Sequence, residues 1–474
     1  MASMMAVSGP ISRKRVLTPF LVVVALLAGC ATSLPKIEPE KLPEAPAQFK
    51  ENWAIASPAV AQERGEWWKV FNDPVLDDLV ARAERANTSI QVAAARLAQA
   101  RAVARITDAD RALQVSAGAS ARRAQGLIGG NPPGPPNNLF AAGVDLSYEL
   151  DLFGRLSHAS QAAVLDAQSR EGLLQSTRLL IQAQVAQSYL ALRALDTERL
   201  IVSDTLAAYR ETLALTERRW RAGDVAELEV ARSATEVAAT ESEALALERR
   251  RAEHEHALAV LIGEAPSGFS LPAAEWNSAL PEIPAGVPST VLTRRPDVSA
   301  AQYGMLAAQT RVGVAKAAYF PNIALTASGG YASTDLSDLF QWSSRAWLIG
   351  AVASLPILDG GRRKAGVQAA GAELDAAVAT YRDQVLVAFK DVEDQLSALR
   401  LLAEQAEAQA RAVSSARRTT ALSGARYRAG YVSQLELLDA QRSELRNRRE
   451  ALQVRSARYQ STVALVRALG GGWN

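Results

Sequence analysis

Few residues in this chain of 474 are equipped for chemistry. It has three histidines, and His254 and His256 stand two apart. On a helix those two rings leave on different sides and cannot share a metal. The chain contains no serine elbow of the lipase type, no phosphate-binding glycine loop ending in Lys-Ser or Lys-Thr, and no cysteine pair. Acidic pairs are frequent, but on long helices such pairs form solvated faces. Glu436 and Asp439 are one such pair, three residues apart on one helical face after a glycine turn. No enzymatic activity, cofactor or metal is expected.

The single cysteine has a distinct chemical fate. Cys30 closes the tetrapeptide Leu27-Ala28-Gly29-Cys30, behind a basic stretch, Arg13-Lys14-Arg15, and an apolar run from Val16 to Ala28. That run is too short for a stop-transfer helix and reads as a signal segment. The tetrapeptide resembles a bacterial lipobox, whose cysteine is lipidated and begins the mature chain. The competing reading is an ordinary buried cysteine after a plain signal peptide. Loss of the three basic residues takes the formal charge from +2 to about −1, so the mature chain is no basic nucleic-acid binder.

The elements that must position these residues come in two copies. Arg219-Trp220-Arg221-Ala222-Gly223 recurs as Arg426-Tyr427-Arg428-Ala429-Gly430, an offset of 207. The same offset pairs Gly143 with Gly350, Gly154-Arg155 with Gly361-Arg362, and Gly263 with Gly470. A register held without gaps over this span means one unit built twice. The expected organisation is a signal peptide over 1–29, a lipid-anchored extended linker over 30–65, a first repeat over 66–265, a Pro-rich linker over 266–295 and a second repeat over 296–474. Asp73-Pro74 predicts a helix start, with the helix running to about Asp110 and a break near Asn87.

Each repeat then has two strands with period-two alternation, Leu113 to Arg123 and Leu139 to Leu150 in the first, Pro321 to Ala332 and Ala346 to Pro356 in the second. Val144, Leu146, Ile349 and Ala353 fall on the apolar face. No proline interrupts the chain from Arg155 to Ala265, or from Ile357 to the C-terminus, so long helices follow. From Ile181 to Trp220, nine of twelve positions spaced four and three apart are apolar, a coiled-coil-like seam. A helix from Gly154 to Arg221 would run ~100 Å. Four strands with one apolar face cannot close a barrel alone, and open edges in a membrane cost several kcal/mol per unpaired group. Three copies would give twelve strands, a closed barrel. The alternative is a small soluble β-subdomain capping a coiled coil.

Tyr148-Glu149-Leu150-Asp151-Leu152-Phe153-Gly154-Arg155, Arg294-Arg295-Pro296-Asp297, Tyr319-Phe320-Pro321, Leu358-Asp359-Gly360-Gly361-Arg362 and the paired Arg-Ala-Gly turns together resemble the TolC-like outer-membrane efflux family, of the OprM and NodT type. The resemblance implies a mainly α fold with a small β part, internally duplicated. It implies a homotrimer whose twelve-stranded transmembrane barrel continues into a long periplasmic α-helical barrel. The implied function is the passive exit duct of a tripartite efflux pump, working with a periplasmic adaptor protein and an inner-membrane RND-type pump. The implied location is the outer membrane, with Cys30 lipid-anchored; Ala31 after it favours sorting there. By the same resemblance Glu436 and Asp439, with their first-repeat equivalents Glu229 and Arg232, form a periplasmic aperture in which Arg232 could latch an acid. The turns Arg221-Ala222-Gly223-Asp224 and Arg428-Ala429-Gly430-Tyr431 are the adaptor-docking tips. An arginine that helps latch some relatives just after the second turn is absent, with Tyr431 and Val432 in its place. Against this stand exposed helix charges and plain hairpin turns. The rival functions are a periplasmic coiled-coil scaffold lipoprotein and an exit duct for type I protein secretion.

Overall fold

The computed structural model describes residues 33–38, 65–125, 136–281 and 295–471. The signal segment, Cys30, most of the following linker, and residues 282–294 of the inter-repeat linker lie outside the described residues. Among the described residues no helix is long and apolar enough to cross a membrane.

The duplication is visible in the helices. Helices α1 (Pro74–Ala86) and α2 (Thr88–Ala109) open the first copy, followed by α3 (Arg155–Arg221) and α4 (Glu227–Leu261). The second copy has α5 (Pro296–Ala317), α6 (Arg362–Arg428) and α7 (Gln434–Ala468). Helices α3 and α6 have 67 residues each, and α4 and α7 have 35 each. The boundaries of these four helices repeat at the offset of the sequence motifs. Asp73 caps α1, accepting from the N–H groups of Val75 and Leu76 at 3.1 and 3.3 Å. The break between α1 and α2 falls at Asn87, whose side-chain oxygen accepts from Ser89 and Ile90 while its amide donates to the Leu261 carbonyl at 2.8 Å. One side chain thus stops one helix, starts the next and fixes both to the end of α4.

The chain divides into two compact units. The first comprises Ala98–Ser169 and Ala301–Thr380 with the N-terminal segment Met1–Leu42. It holds an antiparallel sheet in the order β1 (Gln114–Ala124), β2 (Asn137–Leu150), β3 (Asn322–Ser333), β4 (Arg345–Ser354). The strands start and stop within two residues of their expected limits, and the expected proline ends fall just outside them, as the missing N–H of proline requires. Across the sheet, Val115 pairs with Leu146, Leu146 with Ala327 and Ala327 with Ile349. Val144, Gly329 and Trp347 form the next row, and Leu150, Ile323 and Ala353 a third. The register therefore gathers the apolar positions of four strands on one face. Gln114, Ser147 and Thr326 form a row on the other. Gly143 and Gly330 are paired on that polar face, and a Cβ on Gly330 would strike the Ala142 carbonyl and the Gly143 Cα. Side-chain-free residues are needed there for the close approach.

The joints below this sheet are capped. Asp151 accepts from the N–H groups of Leu156 and Ser157 at 3.0 and 2.7 Å, and Asp359 accepts from those of Gly361 and Arg363 at 3.0 and 3.2 Å. Each carboxylate starts one of the two 67-residue helices. Phe153 and Phe320 stack at 4.7 Å between them. The N-terminal segment 33–38 is held on α5, where Gln309 donates to the Pro35 carbonyl at 2.8 Å and Lys316 to that of Ser33 at 3.4 Å.

The second unit comprises Pro43–Leu97, Arg170–Ala300 and Tyr381–Asn474. Its main core gathers Trp67, Phe71, Leu76, Leu79 and Val80 with Val185, Leu190, Leu258, Tyr459 and Val463. Most of the predicted seam of α3 is inside: Ile181, Val185, Leu192, Leu195, Val202 and Tyr209 are buried. Trp220, the last seam position, is exposed instead, one residue before the helix ends. Buried charges are paired. Asp196 meets Arg193 at 3.0 Å and Arg251 at 2.7 Å, and both arginines also donate to backbone carbonyls, of Pro272 and Leu271 respectively.

A second clasp closes the chain end. Arg295 donates twice to Asp297, at 2.7 and 3.1 Å, to Asp391 at 3.2 Å and to the Ala468 carbonyl at 3.3 Å. Burial pushes the Asp297 carboxyl up, but the Arg295 guanidinium and the Val298 N–H outweigh it and hold the pKa below 3.8. Arg295→Ala leaves two half-buried carboxylates without their cation and is expected to cost about 3 kcal/mol. A carboxyl depressed on folding contributes stability above its unfolded pKa and loses it as pH falls through the folded value. The deficit of the variant, measured by denaturant unfolding in detergent, should therefore be full at neutral pH and shrink below pH 3.8. A deficit independent of pH would locate the loss in packing rather than in the ion pair.

Candidate functional site

The expected site residues lie around two helical turns, both in the second unit. At the end of α3, Gly223 adopts φ +82°. Its N–H bonds the Trp220 carbonyl, and the Asp224 N–H bonds the Arg219 carbonyl at 2.9 Å. At the end of α6, Gly430 has φ +78°, with the Gly430 N–H on the Tyr427 carbonyl and the Tyr431 N–H on the Arg426 carbonyl. Both are Schellman ends, in which glycine supplies the left-handed residue and the last carbonyls are satisfied. Nothing stands within 4 Å of either glycine's missing Cβ, so backbone conformation, not crowding, selects glycine here. Arg221, Ala222, Asp224, Arg428, Ala429 and Tyr431 around them are exposed.

The two hairpins are joined just behind the turns. Arg219 lies 4.8 Å from the centre of the Tyr427 ring and donates to the carbonyls of Tyr427 and Arg428 at 3.3 Å. The Tyr427 hydroxyl is 3.2 Å from the buried Thr216 hydroxyl. Gln434, the first residue of α7, is buried and donates to the Glu229 carbonyl at 2.9 Å and to the Ser233 hydroxyl. Ser433 caps α7, accepting from the Glu436 N–H at 3.4 Å.

The acids sit on the outer side of this joint. Glu436 and Asp439 project from the start of α7 with side chains 49% and 62% exposed. Glu436 faces Arg426 at 4.0 Å, and Asp439 faces Arg442 at 3.3 Å. Arg442 also reaches across to Glu236 of α4. One heptad further on, Arg449 meets Glu243 of α4, and it bonds Glu198 of α3 at 2.7 Å. Glu236, first, holds the Arg442 guanidinium above its ordinary value. Below it the Tyr209 hydroxyl is buried without a partner, and burial pushes it up to about 12. Glu229 is half-buried, with its carbonyl taken by Gln434. Arg232 is exposed and makes no ion pair within the chain among the described residues; the basic partners of the acids are Arg426 and Arg442. Sequence reasoning missed both. The i, i+3 spacing of Asp439 and Arg442 was the available signal. No group of three or more His, Cys, Asp or Glu residues able to hold a metal occurs among the described residues.

Residues 79–264 and 287–471 each match the family described as outer membrane efflux protein. The chain belongs to that family. It is 32% identical to the cation efflux system protein CusC of Escherichia coli, over 96% of this chain and 98% of that protein. It is 33% identical to the probable efflux pump outer membrane protein TtgC of Pseudomonas putida, over 96% and 95% of the two chains. Among solved structures, the outer-membrane channel OprN superposes with a TM-score of 0.86 at 31% identity, covering 94% of this chain and 100% of that one. This chain is thus an outer-membrane efflux channel component with the fold of these relatives, mainly helical with one small antiparallel sheet among the described residues.

In this family member the turn glycines set the tip geometry. Gly430→Val places a β-branched residue at positive φ, at a cost of roughly 1–3 kcal/mol borne by the local turn. Gly430→Asn, which tolerates that region, should restore most of it. Amide exchange at Tyr431 should quicken in the valine variant and remain near wild type in the asparagine variant. Equal exchange in all three would show that the turn does not depend on φ at this position.

Proposed function

We propose that three copies of this chain close a twelve-stranded barrel in the outer membrane, continue it as a helical barrel in the periplasm, and form the passive exit duct of a tripartite pump. The observation that carries this is the sheet. Its four strands gather one apolar face in register, and β1 and β4, the two edges, have no further strand partner among the described residues and run antiparallel to one another. A copy added at either edge extends the same antiparallel ladder, and only closure removes the last edge from hydrocarbon. The polar face, with Gln114, Ser147 and Thr326, then lines the lumen.

The anchoring of Ser33 and Pro35 on α5, which leads directly into β3, supports lipidation at Cys30 close to the membrane surface. The exposed turns around Gly223 and Gly430 dock a periplasmic adaptor, and through it an inner-membrane pump. Relatives named for cation efflux and for a general efflux pump share this fold. Cargo is therefore selected upstream, and this chain conducts small molecules without cofactor or hydrolysis.

The face assignment is tested by Val144→Arg against Ser147→Arg. A charge on the lipid face costs ~2–4 kcal/mol near the midplane. The first variant should lose heat-sensitive trimer on detergent gels, and the second should keep it. Equal yields of trimer from both would reject the assignment.

The same reading makes Glu436 and Asp439 the acidic aperture. In the double variant Glu436→Ala/Asp439→Ala, reconstituted channels should conduct more, prefer cations less and lose block by divalent cations. Unchanged conductance and block would place the constriction elsewhere along α7.

A further inference from the structure

The loop between β3 and β4 carries a cluster that the duct itself does not use. Residues 334–344 are built by two short 3-10 turns, Leu336–Asp338 and Trp342–Ser344. Gln341 donates to the Asp338 carboxylate at 2.9 Å, and the Ser344 hydroxyl donates to the Asp338 carbonyl at 2.7 Å. Leu339 is tucked inside at 6% exposure, yet Phe340 and Trp342 are each 72% exposed. A loop this well bonded could have buried these rings; it presents them instead.

The rings are placed on the apolar face. Phe340 meets Tyr331 edge-on at 5.7 Å, and Trp342 covers the Arg345 guanidinium, which is 3.2 Å from the ring centre. Tyr331 and Arg345 are a cross-strand pair, two residues along from the pair Gly329 and Trp347, so all these side chains share the face of Val144 and Ile349. Arg345 spends its Nε on the Trp342 carbonyl at 2.7 Å; among the described residues no hydrogen bond or ion pair takes its terminal amino groups. The loop joins the strands at the end away from α2, α3, α5 and α6, all of which meet the sheet at its other end. If the helices are periplasmic, this end is the outer one.

We propose that this loop folds down as an outer-leaflet anchor: Phe340, Trp342 and Trp347 enter the acyl boundary, and Arg345 binds a phosphate of the lipid headgroup. The occupant is a phosphorylated outer-leaflet lipid, for two reasons. The patch is continuous with the lipid-facing rows of the sheet, and a guanidinium with free donors under an aromatic plane suits a phosphate at the edge of an apolar layer. Asp335 and Asp338 belong to the first turn of the loop, Asp338 bonded by Gln341 and Ser337 and Asp335 by Thr334, and neither forms an ion pair with Arg345 among the described residues.

The proposal rests on the sheet spanning the membrane, and the test separates the two. Full-length trimers with single spin labels at Phe340→Cys, Ser337→Cys or Ile349→Cys are reconstituted into vesicles containing lipopolysaccharide. The Ile349 label should be accessible to oxygen and shielded from a water-soluble nickel reagent. The Phe340 label should lie at interfacial depth, and the Ser337 label in water. A Phe340 label as wet as Ser337, with Ile349 still in lipid, overturns the anchor and leaves the barrel standing. A wet Ile349 label overturns the barrel reading and the anchor with it. In native mass spectrometry, Trp342→Ala and Arg345→Gln should each lower retained lipopolysaccharide at least several-fold, and dephosphorylated lipid A should be retained by neither wild type nor variant. Retention equal to wild type in Arg345→Gln, or retention of the dephosphorylated lipid, would refute the phosphate contact.

Discussion

Backbone groups at a sheet edge set the terms for everything else in this protein. In hydrocarbon an unpaired N–H or C=O finds no water, and each one left open costs several kcal/mol. A four-stranded sheet has two such edges, here β1 and β4, and no element of the described chain pairs with either. In the proposed trimer, additional copies of the chain supply the missing pairs. The even number of strands matters, since it leaves the edges antiparallel and lets copies join without a change of pattern. Gly143 and Gly330 approach backbone to backbone on the polar face, which the proposed closure would turn inward.

Duplication fixed the lengths of the helices but not their chemistry. Both copies have helices of 67 and 35 residues with a glycine at positive φ between them. The charges, however, have separated. Helix α4 of the first copy offers Glu236 and Glu243, and α7 of the second offers Arg442 and Arg449 to meet them, one heptad apart. At the repeat offset Arg442 and Arg449 correspond to Thr235 and Ser242, so two identical copies would lack both ion pairs, and the second copy's arginines cross-link the two hairpins of one chain.

Much of this was legible from the residues because it is local or periodic. Alternation marked the strands, glycine marked the turns, Asn87 marked a break, and the absence of proline marked the long helices. The uses of the motif residues were less legible. Arg295 stands in a motif that opens the second copy, but its partners include Asp391 and the Ala468 carbonyl, 96 and 173 residues away. Asp196 sits on α3 like any solvated acid, yet it is 2% exposed between two arginines. No local pattern encodes such contacts, since they depend on which helices become neighbours. Within one chain the fold also brings Arg426 to Glu436 and Arg442 to Asp439, contacts that the repeat positions do not encode.

The distribution of ion pairs by burial follows a division between parts that must hold and parts that must yield. Arg193 and Asp196 are buried and Arg251 is largely so, each with more than one bond, and breaking such a group by removing one partner costs ~3–5 kcal/mol. They fix the segment around Leu271 and Pro272 to α3 and α4. At the turns the pairs of Glu436 and Asp439 are about half exposed or more, where each is worth ~0–1 kcal/mol and is screened by salt. Hairpins held behind the turn by Arg219 on Tyr427 and by buried Gln434, but only weakly at their acidic surface, can shift that surface at small cost. A buried latch at the same place would cost several kcal/mol to open in each copy of the proposed trimer. Weak, exposed pairs at the proposed aperture are therefore what a gate opened by binding requires, while the strong pairs are kept where movement would unmake the fold.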